Sequence, residues 1–312
     1  MKASQISEDQ VIATAHEAAV ARYWNEKQSD AINLLLGQGD GLIHHLYGVG
    51  EFDRSILQLP AESREEPLLA ELHRMENRQT EIIINSLGGV GRDGRILDAG
   101  SGRGGTAFML HNRFGCLVDG ITISTYQVEF SRRLAEERGC ADKVKFHFQN
   151  MLRTGFPDDS FDRARAEQVL QHIASPETAV AELTRVTRAG GLIAVMEPDW
   201  DTLVIDADDL MLSRAFSSYH SGRLLPHGAI GRRLPALFRE AGLIDVSVTA
   251  TVLMPPYRPL KEWIESTTNG VVAEGGMSES QARVWLDDLE RRGREERFFG
   301  AFSYFRVVGR VP

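Results

Sequence analysis

The chain has 312 residues and a net charge of −9, because 44 acidic residues outnumber 35 basic ones, and it shows no basic stripe of the kind that binds nucleic acids. No apolar run approaches the roughly 20 residues that a membrane-spanning helix needs, and the N-terminal segment lacks the apolar core of a signal peptide. The cysteines, Cys116 and Cys140, show neither a disulfide framework nor a metal-binding spacing, so we expect a reduced, cytoplasmic protein without a nucleic-acid or membrane partner.

Residues 1–66 are predicted to form an N-terminal helical lid, and residues 67–312 are predicted to form the main domain. Within the lid, residues 51–66 contain proline and several acids, which is typical of a connection. A helix is expected over residues 68–87, because apolar residues recur there at helical spacing and Gly88 follows.

Strands and helices alternate from residue 95 to residue 196, which predicts a Rossmann-like α/β fold. Five short apolar strands are separated by amphipathic helices, and right-handed crossovers between them imply a mainly parallel sheet. Two later strands, at residues 245–253 and 298–311, bring the sheet to seven strands and give it an antiparallel edge strand. The segments 198–230 and 258–297 interrupt this pattern and are expected to be lid insertions.

The strongest motif is a glycine-rich loop directly after the first of these strands. Residues 95–105 read RILDAGSGRGG, so an apolar strand enters a glycine turn that precedes a helix. Glycines remove side chains where a ligand contacts the backbone, and open α/β sheets bind ligands at this end of their strands. The spacing resembles motif I of class I methyltransferases that use S-adenosylmethionine (SAM). The resemblance implies SAM contacts from Asp98, Gly100, Ser101, Gly102 and Gly104.

The end of the second strand also carries a recognisable segment. Residues 119–127 read DGITISTYQ, with Thr122 where most such folds place an acid that binds the ribose hydroxyls. This segment is similar to one in cyclopropane synthases and sterol C-methyltransferases, which implies that Thr122 and Gln127 reach the ribose. The alternative for Gln127 is a solvent-facing residue at a helix start. The same family implies that Asn150 and Met151, after the third strand, cover the adenine.

The fourth strand ends in candidates for a catalytic base. Residues 161–172 read FDRARAEQVLQH, and in this fold the strand ends beside the transferred methyl group. Burial of Glu167 in an apolar site would raise its pKa and make it a usable general base. We therefore expect Glu167 either to act as the base or to bind SAM or the N-terminal segment. For His172 we expect a packing role or a contact with the cofactor, and catalysis is the alternative.

Residues 21–50 and 69–83 are similar to bacterial geranyl diphosphate C-methyltransferases, and with the motifs above the resemblance covers roughly the first half of the chain. Those enzymes methylate an alkene carbon, after which a base removes a proton from the carbocation. Such chemistry needs aromatic faces around the cation and a carboxylate. The resemblance implies Tyr47 beside the cation, Glu167 as the base and Tyr23 in a lid that excludes water. Ordinary helix packing is the alternative for both tyrosines.

The second half of the chain departs from that family. Residues 167–206, which include EPDW, and residues 231–235 resemble a broad group of actinobacterial small-molecule methyltransferases. Mg²⁺ is expected only if the substrate carries a diphosphate, and no other metal site is predicted. The side chains that could then contact a diphosphate, or could equally lie at the surface, are His220, Arg223, His227 and Arg258.

The sequence favours a SAM-dependent C-methyltransferase that acts on an alkene carbon of a terpenoid or prenylated secondary metabolite. The substrate is expected to be a prenyl diphosphate or a prenylated indole alkaloid, in which methylation would trigger cyclisation. O- or N-methylation of another small metabolite and a SAM-binding protein without catalysis are the alternatives. The glycine spacing and the missing ribose acid argue against a nicotinamide enzyme. The apolar stretch at residues 31–36 favours a homo-oligomer.

Overall fold

The computed structural model describes residues 11–27, 36–37, 39–44 and 48–312. Within these ranges a seven-stranded sheet carries helices on both faces. The strands are β1 (Arg95–Ala99), β2 (Leu117–Thr122), β3 (Val144–Phe148), β4 (Phe161–Glu167), β5 (Thr187–Ile205), β6 (Ile244–Leu253) and β7 (Gly300–Arg310).

The strand order is β3-β2-β1-β4-β5-β7-β6. The first five strands in this order are mutually parallel, whereas β7 lies between β5 and the edge strand β6 and is antiparallel to both. The Rossmann-like, mainly parallel sheet with an antiparallel edge strand is therefore confirmed. The parallel strands all end on one side of the sheet, where a ligand site is expected.

The α-helices of the described residues begin at residues that suit a helix start. Thr14 and Glu17 form a capping box, and Ser175 caps a helix whose first residue is Pro176. None of these helices is long and apolar enough to cross a membrane. The helices are α1 (Ala15–Glu26), α2 (Ala61–Ser86), α3 (Gly105–Phe114), α4 (Thr125–Glu137), α5 (Pro176–Val186), α6 (Leu210–Tyr219), α7 (Ile230–Glu240), α8 (Tyr257–Ala273) and α9 (Glu279–Arg294).

Strand β1 is buried on both faces and anchors the site. Ile96 packs in the cluster that contains α2, α3 and α4, whereas Leu97 packs in the cluster that contains α5 and α7. Both side chains are fully buried, and burial of each contributes about 1.5–3 kcal/mol to stability. The carboxyl end of β1, where the glycine loop begins, is therefore fixed from both sides.

Two elements extend further than the sequence predicts. Strand β5 was expected only around residues 192–196, but it continues to Ile205, which pairs with β7 after an irregularity in the register. The first residues of the segment 198–230 are therefore part of the sheet. Helix α2 begins at Ala61 and includes Pro67, and a 3₁₀ helix spans Arg54–Gln58, so most of the expected connection at residues 51–66 is helical. Proline and clustered acids obscured the end of β5 and the start of α2 in the sequence, although acids favour a helix start.

Candidate active site

A cleft opens at the carboxyl ends of β1, β2 and β4 and is covered by α1. It holds about 1090 Å³ of unoccupied space, part of which is open to solvent. Asp98, Gly104 and Tyr23 lie outside its lining, and Tyr47 lies outside the described residues. The predicted site residues that line it are Gly100, Ser101, Gly102, Thr122, Gln127, Asn150, Met151, Glu167 and His172.

The glycine loop needs its glycines for both conformation and space. Gly100 has a φ of +78°, and a Cβ there would lie 2.1 Å from Val169 Cγ2. Gly104 has a φ of +89°, and a Cβ there would lie 2.7 Å from the ring of Phe146. Only glycine adopts such angles without strain. The loop therefore presents backbone rather than side chains to the cleft.

Thr122 and Gln127 form a pair at the end of β2. The Thr122 hydroxyl donates to Gln127 Oε1 at 2.8 Å, and the backbone N–H of Gln127 donates to Ser124 Oγ at the start of α4. Gln127 is buried but lines the cleft. Its carboxamide is held so that the NH₂ group is available to a ligand hydroxyl, as expected for a ribose contact.

Asn150 and Met151 both line the cleft, and Asn150 also binds the N-terminal segment. Asn150 Nδ2 donates to the Val11 carbonyl at 3.0 Å and to Glu17 Oε1 at 2.8 Å. Arg153 pairs with both Glu17 oxygens, at 2.8 and 2.7 Å. Burial alone would raise the pKa of Glu17, but hydrogen bonds from Arg153 and the backbone lower it to about 2. This clamp fixes α1 over the cleft.

The cleft face of α1 carries Trp24 rather than Tyr23. His16, Val20 and Trp24 are spaced four residues apart and share the face that lines the cleft. Tyr23, one residue away from Trp24 and thus rotated by about 100°, is 49% exposed. The aromatic residue that this helix presents to the cleft is therefore the neighbour of the predicted one.

His172 lies beneath α1. The Trp24 ring meets the imidazole of His172 edge-on with centroids 5.6 Å apart, and His16 Nε2 lies 2.8 Å from the His172 carbonyl oxygen. Burial lowers the pKa of His172 to about 4, with Lys27 and His16 adding to the effect. The imidazole is therefore neutral at physiological pH and can donate or accept one hydrogen bond at each nitrogen.

Glu167 occupies the expected position at the end of β4 but is ion-paired. Arg165 bridges Glu167 and Asp98, and its Nη1 lies 2.6 Å from Asp98 Oδ1. The other oxygen of Glu167 accepts from Gln79 Nε2 of α2 at 2.9 Å. Burial raises the pKa of Glu167, while Arg165 and Gln79 stabilise the ionised form and oppose this shift. Sequence reasoning missed Arg165, although it shares a strand face with Glu167, and it missed Gln79, which no local pattern links to Glu167.

Two further residues at the cleft were also missed. Gln168 lines the cleft with a φ of +54°, which is unusual for a residue with a side chain and concentrates at functional sites. Glu197 is fully buried, and its Oε1 accepts from the backbone N–H groups of Val169 and Leu170, both at 2.7 Å. Burial raises the pKa of Glu197 to about 8. Glu197 lies in the EPDW segment, but only the fold shows that its carboxyl group anchors the loop after β4.

Buried polar atoms around the cleft fit a ligand with the groups of SAM. Among those that lack a hydrogen-bond partner within the described residues are Gln149 Oε1, Arg165 Nε and Gln168 Nε2 of the lining, and Asp98 Oδ2 and Glu197 Oε2 outside it. Both acceptors and donors are therefore present for the ammonium, carboxylate and hydroxyl groups of SAM. Together with the glycine loop, these atoms form a site that suits this cofactor.

The four candidates for diphosphate binding are not brought together at the cleft. Arg223 is 73% exposed and lies 3.9 Å from Glu274, and Arg258 is also exposed. His220 is buried between Trp200 and Trp263, and burial lowers its pKa to about 3. None of the four, including His227, lines the cleft. No cluster of metal-ligating side chains occurs within the ranges that the structure describes.

Comparisons with known proteins agree with this geometry. Residues 97–195 match a family model described as a methyltransferase domain. A geranyl diphosphate 2-C-methyltransferase from Saccharopolyspora erythraea is 48% identical over 151 residues, which are 48% of this chain and 53% of that protein. The enzyme of that name from Streptomyces ambofaciens is 38% identical over 190 residues, covering 61% of this chain and 65% of that protein. The matched segments thus span between half and two thirds of these relatives.

A solved structure extends the likeness to nearly the whole chain. Geranyl diphosphate C-methyltransferase from Streptomyces coelicolor A3(2), in complex with Mg²⁺, geranyl-S-thiolodiphosphate and S-adenosyl-L-homocysteine, matches with a TM-score of 0.69 and 25% identity. The match covers 96% of this chain and 99% of that one. Residues 97–195 therefore form a methyltransferase domain, and the chain has the fold of class I SAM-dependent methyltransferases, as the glycine loop predicted.

Proposed function

We propose that this chain binds SAM in the cleft and transfers a methyl group to an alkene carbon of a terpenoid or prenylated small molecule. The observation that carries the proposal is the buried carboxylate of Glu167, which faces the same cleft as the glycine loop. The similarity to geranyl diphosphate C-methyltransferases along 96% of the chain supports it.

SAM would be held mainly by backbone groups and by short side chains. We assign the amino-acid portion and the ribose of SAM to the glycine loop and Gln127, and the adenine to Met151. Asp98 would contribute its free Oδ2 from below the loop. SAM itself supplies an electrophilic methyl group on a sulfonium. The protein positions this group and excludes water, with α1 as the lid.

Glu167 would act on the substrate after the methyl group is transferred. The alkene electrons form the new carbon–carbon bond, and the cation that results loses a proton from a neighbouring carbon to the Glu167 carboxylate. Such a proton is strongly acidic, so an ion-paired carboxylate is basic enough to remove it. A phenol or an amine would instead favour a base without a cationic partner, which makes O- or N-methylation the weaker candidate.

The remaining assignments rest on the same proposal. Trp24 and the predicted Tyr47 would stabilise the carbocation through their ring faces, and His172 would form the wall between α1 and the substrate. The predicted segments 1–66, 198–230 and 258–297 are proposed to be lids, except for the residues that belong to β5 and α2. If the substrate is a prenyl diphosphate, as in the relatives, Mg²⁺ would be bound mainly by the substrate.

We also propose a cytoplasmic homo-oligomer. The structure describes only Leu36 of the apolar stretch at residues 31–36, so the support for association between chains comes from strand β6. The edge strand β6 exposes the apolar side chains of Ile244, Val248 and Val252, of which the last two share one face of the sheet. An exposed apolar edge strand is a common site of association between chains. Sedimentation analysis of the purified protein tests this proposal, and a monomer at micromolar concentration would contradict it.

The decisive experiment is a substrate panel. The purified protein would be incubated with SAM and with geranyl diphosphate, prenylated indoles, phenols or amines, each with Mg²⁺ or with EDTA. Mass spectrometry and NMR would identify the methylated atom, and release of S-adenosylhomocysteine would quantify turnover. We expect a new carbon–carbon bond at an alkene, with Mg²⁺ dependence only for a diphosphate. Methylation at oxygen or nitrogen alone would refute the proposal.

A further inference from the structure

A chain of buried charges joins the cofactor loop to the candidate base. Asp98 at the end of β1, Arg165 in β4 and Glu167 at the end of β4 are each no more than 4% exposed. One guanidinium donates through Nη1 to Asp98 and through Nη2 to Glu167. Arg165 also lines the cleft.

The sheet register explains why one side chain reaches both carboxylates. Asp98 and Arg165 are direct partners on the neighbouring parallel strands β1 and β4. Arg165 and Glu167 are two residues apart on β4 and therefore project from the same face. The rigid fork of arginine suits this bridge, because its two terminal nitrogens can each bind a different carboxylate.

Glu167 is held from two sides. Arg165 binds Oε2, and Gln79 of α2 binds Oε1 at 2.9 Å. A carboxylate oxygen has two acceptor positions, so each oxygen keeps one position for a proton. The carboxylate therefore has a fixed orientation and still has the capacity to accept a proton.

Among the groups around Glu167, the Arg165 guanidinium is the one whose positive charge stabilises the buried carboxylate. The titratable groups facing Glu167 from the packed elements described are Asp98 of β1, Arg165 of β4 and Glu197 of β5, and burial raises the pKa of Glu197 to about 8, which keeps it mostly protonated at pH 7. Helix α2 contributes the neutral Gln79, and burial lowers the pKa of the nearby His44 to about 4, so that imidazole is uncharged. Burial would lower the pKa of Arg165, but the two carboxylates more than offset this and keep it charged.

We propose that Arg165 is a positioning residue that orients the Glu167 carboxylate toward the cleft and couples it to Asp98 beneath the glycine loop. This inference rests on the proposed role of Glu167 as the base. Arg165 transfers no proton. Its removal would leave two carboxylates without a cation in a buried site, where the ionised form of Glu167 is disfavoured.

The first measurement needs no alkene substrate. Binding of the cationic sulfonium beside Glu167 favours its ionised form, so the protons that SAM binding releases report how much of Glu167 is protonated beforehand. Calorimetric titrations with SAM at pH 7 in two buffers of different ionisation enthalpy give their number. We expect Arg165→Lys to release more protons than the wild type, because the loss of the bridge increases the protonated fraction of Glu167, and Glu167→Gln and Asp98→Asn to release no more than the wild type. Asp98→Asn removes a negative charge, so its shift is opposite in sign to that of Arg165→Lys.

The second measurement is the pH profile of kcat. An ammonium replaces the charge but cannot bridge both carboxylates, so Arg165→Lys should lower kcat by about tenfold or more. The acid limb of its profile should move up by about one pH unit, because weaker pairing raises the pKa of Glu167. Asp98→Asn should move the same limb down.

Arg163→Lys is the matched control. Arg163 lies on the same strand, but its Nε donates to the Leu87 carbonyl at 2.7 Å, away from the cleft. Its proton release and acid limb should equal those of the wild type. If Arg165→Lys matches Arg163→Lys in both measurements, the inference is wrong. If proton release follows the expected pattern but no alkene is methylated, Arg165 still positions Glu167 and only the proposed function fails.

Discussion

The cofactor side and the substrate side of the cleft are built by different means. The cofactor side consists of two short continuous segments, 95–105 and 119–127, in which backbone geometry forms the surface. The substrate side is assembled from side chains that are far apart in sequence. Gln79, for example, meets Glu167 across 88 residues.

This difference predicts how each side responds to mutation. A backbone surface tolerates most changes that add no atoms to the loop, whereas an added Cβ displaces the ligand or the loop itself. A side-chain network responds to the loss of a single charge or hydrogen-bonding group. The substrate side should therefore control turnover and pH dependence, and the cofactor side should control SAM affinity.

The largest effect is expected for Glu167→Gln. The carboxamide has nearly the same shape but cannot accept the substrate proton, so turnover should fall by about 10³-fold. SAM affinity should fall much less than turnover, because the cofactor side is intact and only the attraction between the sulfonium and the carboxylate is lost. Turnover is measured as S-adenosylhomocysteine release with the best substrate of the panel. Glu182→Gln, in a partly buried glutamate that binds Thr154 and Arg185, is the control and should keep wild-type turnover. Full product formation by Glu167→Gln would show that another group removes the proton.

Gly100→Ala should have the next largest effect, on SAM affinity. Its Cβ would lie 2.1 Å from Val169 Cγ2 in a residue with φ +78°, so the loop must move. We expect SAM affinity to fall by about 100-fold in calorimetric titrations. Gly139→Ala provides the control, because Gly139 has a similar φ of +64° but no atom within 4 Å of the added Cβ. Equal losses in both variants would mean that backbone strain, and not the contact with Val169, causes the effect.

The comparison between the two sides also explains what the sequence could predict. The sheet, the glycine loop and the Thr122–Gln127 pair follow from local patterns, because each lies within one strand–loop–helix segment. Glu167 was found for the same reason, as it ends a strand. Its partner Arg165 was overlooked although it is only two residues away. From sequence alone, an arginine in a strand is interpreted as a surface residue unless the neighbouring strand is known to carry an acid.

Long-range packing accounts for the other features that the sequence did not predict. The clamp between Glu17 and Arg153 and the anchor formed by Glu197 depend on contacts between distant segments, which no local pattern reports. The extension of β5 to Ile205 depends on pairing with β7, whose residues lie about 100 positions later. Trp24 in place of Tyr23 depends on the rotation of α1, which the capping residues set only approximately.

Glu197 should make stability depend on pH. Its pKa is about 8 in the folded protein against an ordinary value of 4.5. Between these values the unfolded chain releases a proton that the folded chain retains, so the free energy of unfolding falls as the pH rises from about 4.5 to about 8. We expect this fall to approach about 1 kcal/mol per pH unit in thermal or urea unfolding. Glu197→Gln mimics the protonated form and should show a smaller slope, and an unchanged slope would assign the titration elsewhere.

The clamp on α1 should have a smaller effect, on SAM affinity. Glu17→Gln loses the ion pair with Arg153 and should weaken SAM binding by about tenfold, because α1 is no longer fixed over the cleft. With a pKa of about 2, Glu17 is ionised at ordinary pH, and its ion pair is lost only as the pH falls toward 2. The ratio of wild-type to variant affinity should therefore be constant from pH 5 to 8. The control is Glu26→Gln, in an exposed residue of the same helix. A ratio that varies over this pH range would show that loss of the Glu17 ion pair does not cause the weaker SAM binding.

The smallest effects distinguish the two aromatic residues of α1. Trp24→Ala removes an edge-on ring contact with His172 and should weaken SAM binding by about fivefold. Tyr23→Ala removes a side chain that is 49% exposed and should change SAM affinity by about twofold at most. Both rings contact Lys27 at similar distances, 5.2 and 5.3 Å, so the loss of that contact is matched between the two variants. A larger effect at Tyr23 than at Trp24 would mean that α1 rotates when SAM binds, which would bring Tyr23 over the cofactor as the sequence predicts.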